Sequence, residues 1–344
     1  MKPLKIFGWA IDHMGCGNYR IGLPMWALNK FGHDALAFTV LNVEIPSDLD
    51  ILVGQIISTP ERSELWHRLA TTPGRDFAMV LEIDDDIWNL RPSNPAYAFW
   101  KAGAGDIIKD AIRVADAVTV TTEHLAEVVS KYHDNVFVLP NCFDAALLDH
   151  ERPHAETLTV GWAGGSSHGE DFESAAKDLR TFFRRNPHVD AHFIGVDYGA
   201  LVSRPDSRFT PWSSNLVDYI KGLDFDIGIA PLLPNQFNRS KSDLKFLEYA
   251  SLGIPVVASD VGPYNASIQH GLTGLLVRYP HEWVKYLSQM VNETDLRLEI
   301  AQNARAWAST RTIQANVWRW EEAYRSVLTG RRGVYVDQLA QIGC

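Results

Sequence analysis

The chain has 344 residues, 46% of them apolar and 22% charged, with a formal net charge of −10. This is the composition of a globular protein large enough for one large domain or two ordinary ones. The acidic balance, without a basic block, argues against sequence-independent nucleic-acid binding. No run of eighteen apolar residues exists to cross a bilayer as a helix. Three widely spaced cysteines, Cys16, Cys142 and Cys344, fit a reducing compartment and offer no metal-site spacing. The first apolar segment is short and runs straight into Asp12 and His13, which argues against a secretion signal and for a cytoplasmic protein.

In chain order, strand-like runs alternate with helical ones. The first half gives strands at Lys5–Trp9, Ala35–Thr39, Ile51–Val53, Ala78–Ile83, Ala117–Thr121 and Val136–Leu139. Helical patterns fall between them, at about Ile21–Phe31, Pro60–Thr71, Gly103–Ala115 and Glu123–Tyr132. A polar stretch with Pro153, Phe143–Thr157, reads as the seam between two domains. The second half repeats the alternation, with strands at Thr159–Ala163, His192–Ile194, Ile227–Ala230, Pro255–Ala258 and Leu275–Val277. Its helices fall at about Asp171–Asn186, Leu216–Gly222, Asp243–Leu252, His281–Asn292, Asp295–Ala308 and Thr312–Leu328. Such alternation predicts α/β architecture with parallel, doubly wound sheets.

Several turns carry chemistry. After the first strand, Gly15 and Gly17 begin a G-x-G pattern, but Arg20 takes the third glycine position, and Asn42, not an acid, ends the second strand. The dinucleotide fingerprint therefore fails, which counts against a nicotinamide-dependent oxidoreductase. Arg20 can pair with a phosphate or with a nearby carboxylate. The run Asp84-Asp85-Asp86 at a strand end is poorly explained by packing; it reads as a metal site or as groups that orient a hydroxyl and cap the next segment. In the second half, Gly164-Gly165-Ser166-Ser167-His168 follows a strand and opens a helix, so the backbone can approach an anion closely. His168 either bonds a phosphate or caps that helix, and Asp171 reads as a first-turn carboxylate. Thr210-Pro-Trp212 is placed to hold a nucleobase or simply to pack.

The most informative run is Arg239-Ser-Lys-Ser-Asp-Leu-Lys-Phe-Leu-Glu-Tyr-Ala-Ser-Leu-Gly-Ile-Pro-Val-Val-Ala-Ser259. Lys241, Lys245 and Glu248 are spaced to share one helix face, with Ser240 or Ser242 as the cap. Gly253 ends the helix in a left-handed conformation, and Pro255 stops it restarting. Two lysines and free backbone amides suit a diphosphate, and Glu248 suits the hydroxyls of a sugar attached to it.

From Glu248 through Ser259, and on through Gly262-Pro263-Tyr264 and Gly271–Val277, the sequence resembles the donor-site signature of GT-B glycosyltransferases, in particular the retaining family 4. The family's usual second glutamate, eight residues before Glu248, is Ser240 here. The segment resembles a variant subgroup with a Lys-Ser-x-x-Lys-Phe-Leu-Glu-Tyr run. The resemblance implies two doubly wound Rossmann-like domains with a cleft between them. The same resemblance implies that residues 1–150 form the acceptor-side domain, with helix 312–330 packing back on it, that residues 151–311 form the donor-binding domain, and that 331–344 form a tail. It implies a nucleotide-diphosphate sugar as co-substrate, a glycan, lipid or protein acceptor, no cofactor and no bound metal. The implied catalytic residues are Glu248, Lys241 and Asp85. Gly164, Gly165, Ser166, His168, Ser242, Lys245, Gly15, Gly17 and Arg20 line the donor, and Asp84 and Asp86 lie on the acceptor side.

Overall fold

The computed structural model describes residues 2–40, 45–152 and 157–330. Asn42, Pro153 of the seam, Cys344 and the tail 331–344 lie outside the described residues. Two six-stranded sheets, parallel throughout, make up the fold. The first is built from β1 (Lys5–Trp9), β2 (Asp34–Phe38), β3 (Ile51–Gln55), β4 (Ala78–Ile83), β5 (Ala117–Val120) and β6 (Val136–Val138), in spatial order β2-β1-β3-β4-β5-β6. The second contains β7 (Thr159–Ala163), β8 (Asp190–Gly195), β9 (Arg208–Pro211), β10 (Ile227–Ala230), β11 (Val256–Ser259) and β12 (Leu275–Val277), in order β12-β11-β10-β7-β8-β9. Helices cover both faces of each sheet, so central strands such as β3, β7 and β11 are buried along their whole length.

Each sheet has its own pair of apolar layers. In the first lobe, Ile6, Ile51, Val53 and Val80 face one layer, while Leu52, Met79, Leu81 and Trp66 face the other. The chain crosses between lobes twice, side by side. Phe143 and Thr312 pair as a short parallel bridge, with the Ile313 N–H donating to the Phe143 carbonyl at 2.8 Å. The helix Trp318–Leu328 then lies on the first lobe, where Trp320, Ala323 and Tyr324 join the layer under Ile6 and Leu28.

Three local features differ from the sequence expectation. The helix around Glu248 spans only Leu244–Ser251. Lys241 is outside it, in extended backbone (φ −60°, ψ 157°) just after a short helix, Gln236–Ser240. Neither Ser240 nor Ser242 caps the longer helix; Asp243 stands at its start without a side-chain cap. The reason is packing: Ser240 is fully buried, with its carbonyl accepting from Thr122 of the first lobe at 2.9 Å, so the chain is pinned and cannot continue one helix. Second, β9 forms where the sequence shows no apolar pattern; all four of its residues are exposed. Third, the terminal helix is interrupted, Ile313–Asn316 and then Trp318–Leu328. Gly253 adopts the expected positive φ, +66°.

Candidate active site

The carboxyl ends of both sheets face each other across a cleft, where open parallel sheets place their ligands. In it lies a cavity of about 360 Å³. In the second lobe its floor is the β7 turn. Gly164 is required there, because a Cβ would stand 2.7 Å from both Lys245 Nζ and the Trp162 ring. Gly165 has open space where a Cβ would be, so its backbone faces the cavity. Lys245 donates to the Ala163 carbonyl at 2.5 Å and lies 4.9 Å over the Trp162 ring. Burial lowers it to about 8, with Glu248 opposing and Lys241 adding to that shift. Lys241 reaches the same space from its loop, 4.4 Å over Phe237 and 3.6 Å from Asp85. The two ammonium groups therefore converge although they do not share a helix.

Glu248 is buried at 6% exposure. Its two oxygens accept from two phenols, Tyr19 OH at 3.0 Å and Tyr219 OH at 3.2 Å. Burial raises its carboxyl above the ordinary value, against the Lys245 charge and both hydroxyl donors. Trp212 stands beside Tyr219, ring centres 4.7 Å apart, half-open to solvent at this end of the cavity. His168 does not cap the following helix. Its Nδ1 lies 3.0 Å from Asp171, and burial with the Lys245 and Lys241 charges lowers it to about 4. Asp171 in turn accepts from the Leu233 N–H and from Asn238, so it fixes the loop after β10.

The first lobe supplies carboxylates. Asp12 accepts from the Met14 and Gly17 N–H groups. A Cβ on Gly17 would stand 2.0 Å from the Asp12 carbonyl, so Gly17 shapes the turn and does not line the cavity, whereas Gly15 does. Arg20 is 1% exposed and its partner is a carboxylate. Nε donates to Glu82 at 2.7 Å, and Nη1 to Leu139 O at 2.7 Å and Asn141 Oδ1 at 2.9 Å. Thr119 donates to the other Glu82 oxygen. Arg20 Nη2 is buried without a partner. The three aspartates diverge. Asp84 faces Cys16, and its charge holds that thiol well above the ordinary thiol value. Asp85 faces Lys241. Asp86 is fully buried and taken by the Asn89 amide at 2.8 and 3.1 Å, so it stands off the cavity and ties down the next segment. Among the described residues, no group of three or more His, Cys, Asp or Glu side chains is arranged to hold a metal ion.

The cavity thus gathers Gly15, Arg20, Asp84, Asp85, Gly164, Gly165, His168, Lys241, Ser242, Lys245 and Glu248. Ser166 lines a smaller recess at the rim instead, beside Arg91 and Asn94. Tyr19 and Tyr219 were not anticipated as site residues. Asn141 donates to the Ser242 hydroxyl at 2.9 Å, a further link between the lobes. Tyr19 had one available signal. Once the chain coils from Gly15 onward, Cys16, Tyr19 and Arg20 fall at helical spacing and face the same way.

Known proteins share this architecture. Sucrose-phosphate synthase from Thermosynechococcus elongatus superposes with a TM-score of 0.69 at 12% identity, covering 96% of this chain and 100% of that one. HepE from Anabaena, solved in complex with UDP-glucose, superposes with a TM-score of 0.64 at 14% identity, over 95% of this chain and 100% of its own. The fold is GT-B. Residues 158–293, the second lobe of this GT-B chain, match the family described as Glycosyl transferases group 1. A D-inositol 3-phosphate glycosyltransferase of Corynebacterium urealyticum is 33% identical over 85 residues, 24% of this chain and 20% of that protein. The chain thus spans about a fifth of the length of that curated relative. None of the described helices is long and apolar enough to cross a membrane.

Proposed function

We propose that this protein transfers a sugar from a nucleoside diphosphate sugar to an acceptor hydroxyl. The observation that carries the reading is the convergence of Lys241, Lys245 and the open Gly164-Gly165 backbone on one cavity that also contains Glu248. A diphosphate bound between the ammonium groups and the glycine turn develops charge as the glycosyl bond breaks, and fixed cations there stabilise it. Glu248, at the Trp212 end, accepts hydroxyls of the nucleoside, and Trp212 offers a ring for the base. Asp85 lies across the cavity from Lys241, where it orients the acceptor hydroxyl once the diphosphate has taken Lys241. Closure of the lobes excludes water and limits donor hydrolysis.

A uridine diphosphate sugar is the donor to test first, in line with the UDP-glucose complex of the Anabaena neighbour. Retention at the anomeric carbon and independence from metal are part of the proposal and follow the family resemblance. The position of the missing family glutamate, Ser240, holds a buried hydroxyl facing the Gln236 carbonyl. The test is a thermal-shift and nucleotide-release assay over UDP-, GDP-, dTDP- and ADP-sugars, with chelator present and absent, and the product anomer read by NMR. Stabilisation by a nucleoside diphosphate but not by nicotinamide cofactors is expected. No response to any nucleotide, or a crystal with nucleotide density away from Lys241, would overturn the reading.

A further inference from the structure

The cleft does not end at Lys241. Past it, between the ends of β5 and β6 and those of β10 and β11, opens a second chamber of about 840 Å³ that shares Lys241 with the donor cavity. Its cationic side is formed by Arg239, Arg311 and Arg319. Arg239 is exposed and, among the described residues, has neither a carboxylate partner nor a side-chain hydrogen bond. The Arg319 guanidinium spends one Nε–H on Asn316 at 3.2 Å and lies over the Trp318 ring at 5.1 Å, which leaves its terminal nitrogens without a protein acceptor. Arg311 is committed to Asp243 and the Asn141 carbonyl, yet its Nε is buried with no partner.

Acids also border the chamber, and most are already neutralised. Asp243 accepts from Arg311 at 3.0 Å and from Ser267 at 2.6 Å, and Asp260 is paired with Arg278 at 2.9 Å. Glu123 stands at the chamber wall, exposed. In a chain with a net charge of −10, two guanidiniums without a carboxylate in ion-pair reach line one concave inter-lobe chamber and suit an anion from outside, although Glu322 also acts on Arg319. Planar guanidinium forks match phosphate oxygens two at a time, which a lone ammonium does not.

We propose that this chamber binds the phosphate group of a phosphorylated acceptor, gripped by Arg239 and Arg319, with the acceptor hydroxyl directed past Lys241 into the donor cavity. The acceptor role rests on the transferase reading above, whereas the phosphate site can be tested without it. The carrier is either a soluble phosphomonoester or a lipid bearing the same headgroup.

Calorimetry with UDP saturating the donor cavity, titrated with glycerol 3-phosphate, tests the soluble source. Sedimentation with vesicles containing phosphatidic acid tests the lipid one. Binding in either arm should weaken at least about tenfold in R239Q/R319Q, the scale of one lost charged hydrogen bond, while UDP affinity stays within about twofold. Should the double variant fold poorly, the exposed Arg239→Glu substitution carries the same comparison. Absence of binding in both arms, or binding unchanged by the substitutions, overturns the proposal. Failure of UDP itself to bind would instead strike the transferase reading and leave the phosphate titration of the free protein to decide this one.

Discussion

The two lobes present opposite chemistry to the same cavity. The second lobe offers Lys241, Lys245 and a glycine turn, and the first offers Asp12, Asp84 and Asp85. Buried carboxylates show the same contrast. Glu82 in the first lobe has a full counter-charge in Arg20 at 2.7 Å, whereas Glu248 in the second is held by two hydroxyls. A guanidinium pair of that kind is a structural tie, costly to break. A carboxylate held by neutral donors can exchange them for the hydroxyls of a ligand. On the proposed reading, Asp85 stands beside Lys241 where a phosphate oxygen would bind, and the Tyr19 phenol donates to Glu248 as a ribose hydroxyl would.

The largest expected effect tests whether the first-lobe pair is structural. Arg20→Ala leaves Glu82 buried without its partner and should cost about 3–5 kcal/mol of stability, read as a lower denaturant midpoint with an unchanged slope. If the midpoint holds and nucleotide affinity falls instead, Arg20 belongs to the donor site and the contrast between lobes is lost. Next, Lys241→Ala should lower kcat/KM for the donor by about 2–3 kcal/mol, a lost charge-assisted contact, with the melting temperature little changed. Kinetics equal to the parent protein would remove Lys241 from the site.

The pH profile sharpens the comparison further. Lys245, lowered to about 8 chiefly by burial, is charged in the free protein below that pH and neutral above it. Donor kcat/KM should therefore be flat near neutrality and fall about tenfold per pH unit above 8. A bound diphosphate favours the charged form, so kcat alone should fall at higher pH. Lys245→Arg keeps its charge and should abolish the alkaline limb; persistence of the limb in that variant would assign it to another group. His168 should contribute no inflection near the ordinary histidine value, because it is held at about 4 and stays neutral there. The smallest effect concerns Asp85, whose side chain is 39% exposed. Asp85→Asn removes the competitor of the diphosphate at Lys241 and should tighten nucleoside diphosphate binding by at most about 1 kcal/mol, while lowering turnover. Weaker nucleotide binding in this variant would contradict the place-holder reading.

Strands buried on both faces were the legible part of the fold. β1, β4, β7, β10 and β12 fall where the sequence puts them, because an apolar run bounded by polar turns has few other uses. β9 was not legible. It is an exposed edge strand, defined by its pairing with β8 and not by its own pattern. In the site, the glycine turn and the residues Lys241, Lys245 and Glu248 could be singled out because they cluster in two short segments. Their arrangement could not, since periodicity has no means of seeing the tertiary bond from Thr122 that halts one helix at Ser240 and lets Lys241 swing free of the next. Arg20 shows the same gap. Its type and place fit either a phosphate or a carboxylate, and only the fold brings Glu82 beside it.

The paired crossing at Phe143 and Thr312 carries a mechanical consequence. Two adjacent tethers act as a hinge pin, so relative motion of the lobes is restricted largely to swinging about the line through them. Groups near that line, such as Arg311 with its bonds to Asp243 and the Asn141 carbonyl, travel little during the swing. The arginine-walled chamber, which Arg311 lines, therefore lies on the pivot side of the cleft.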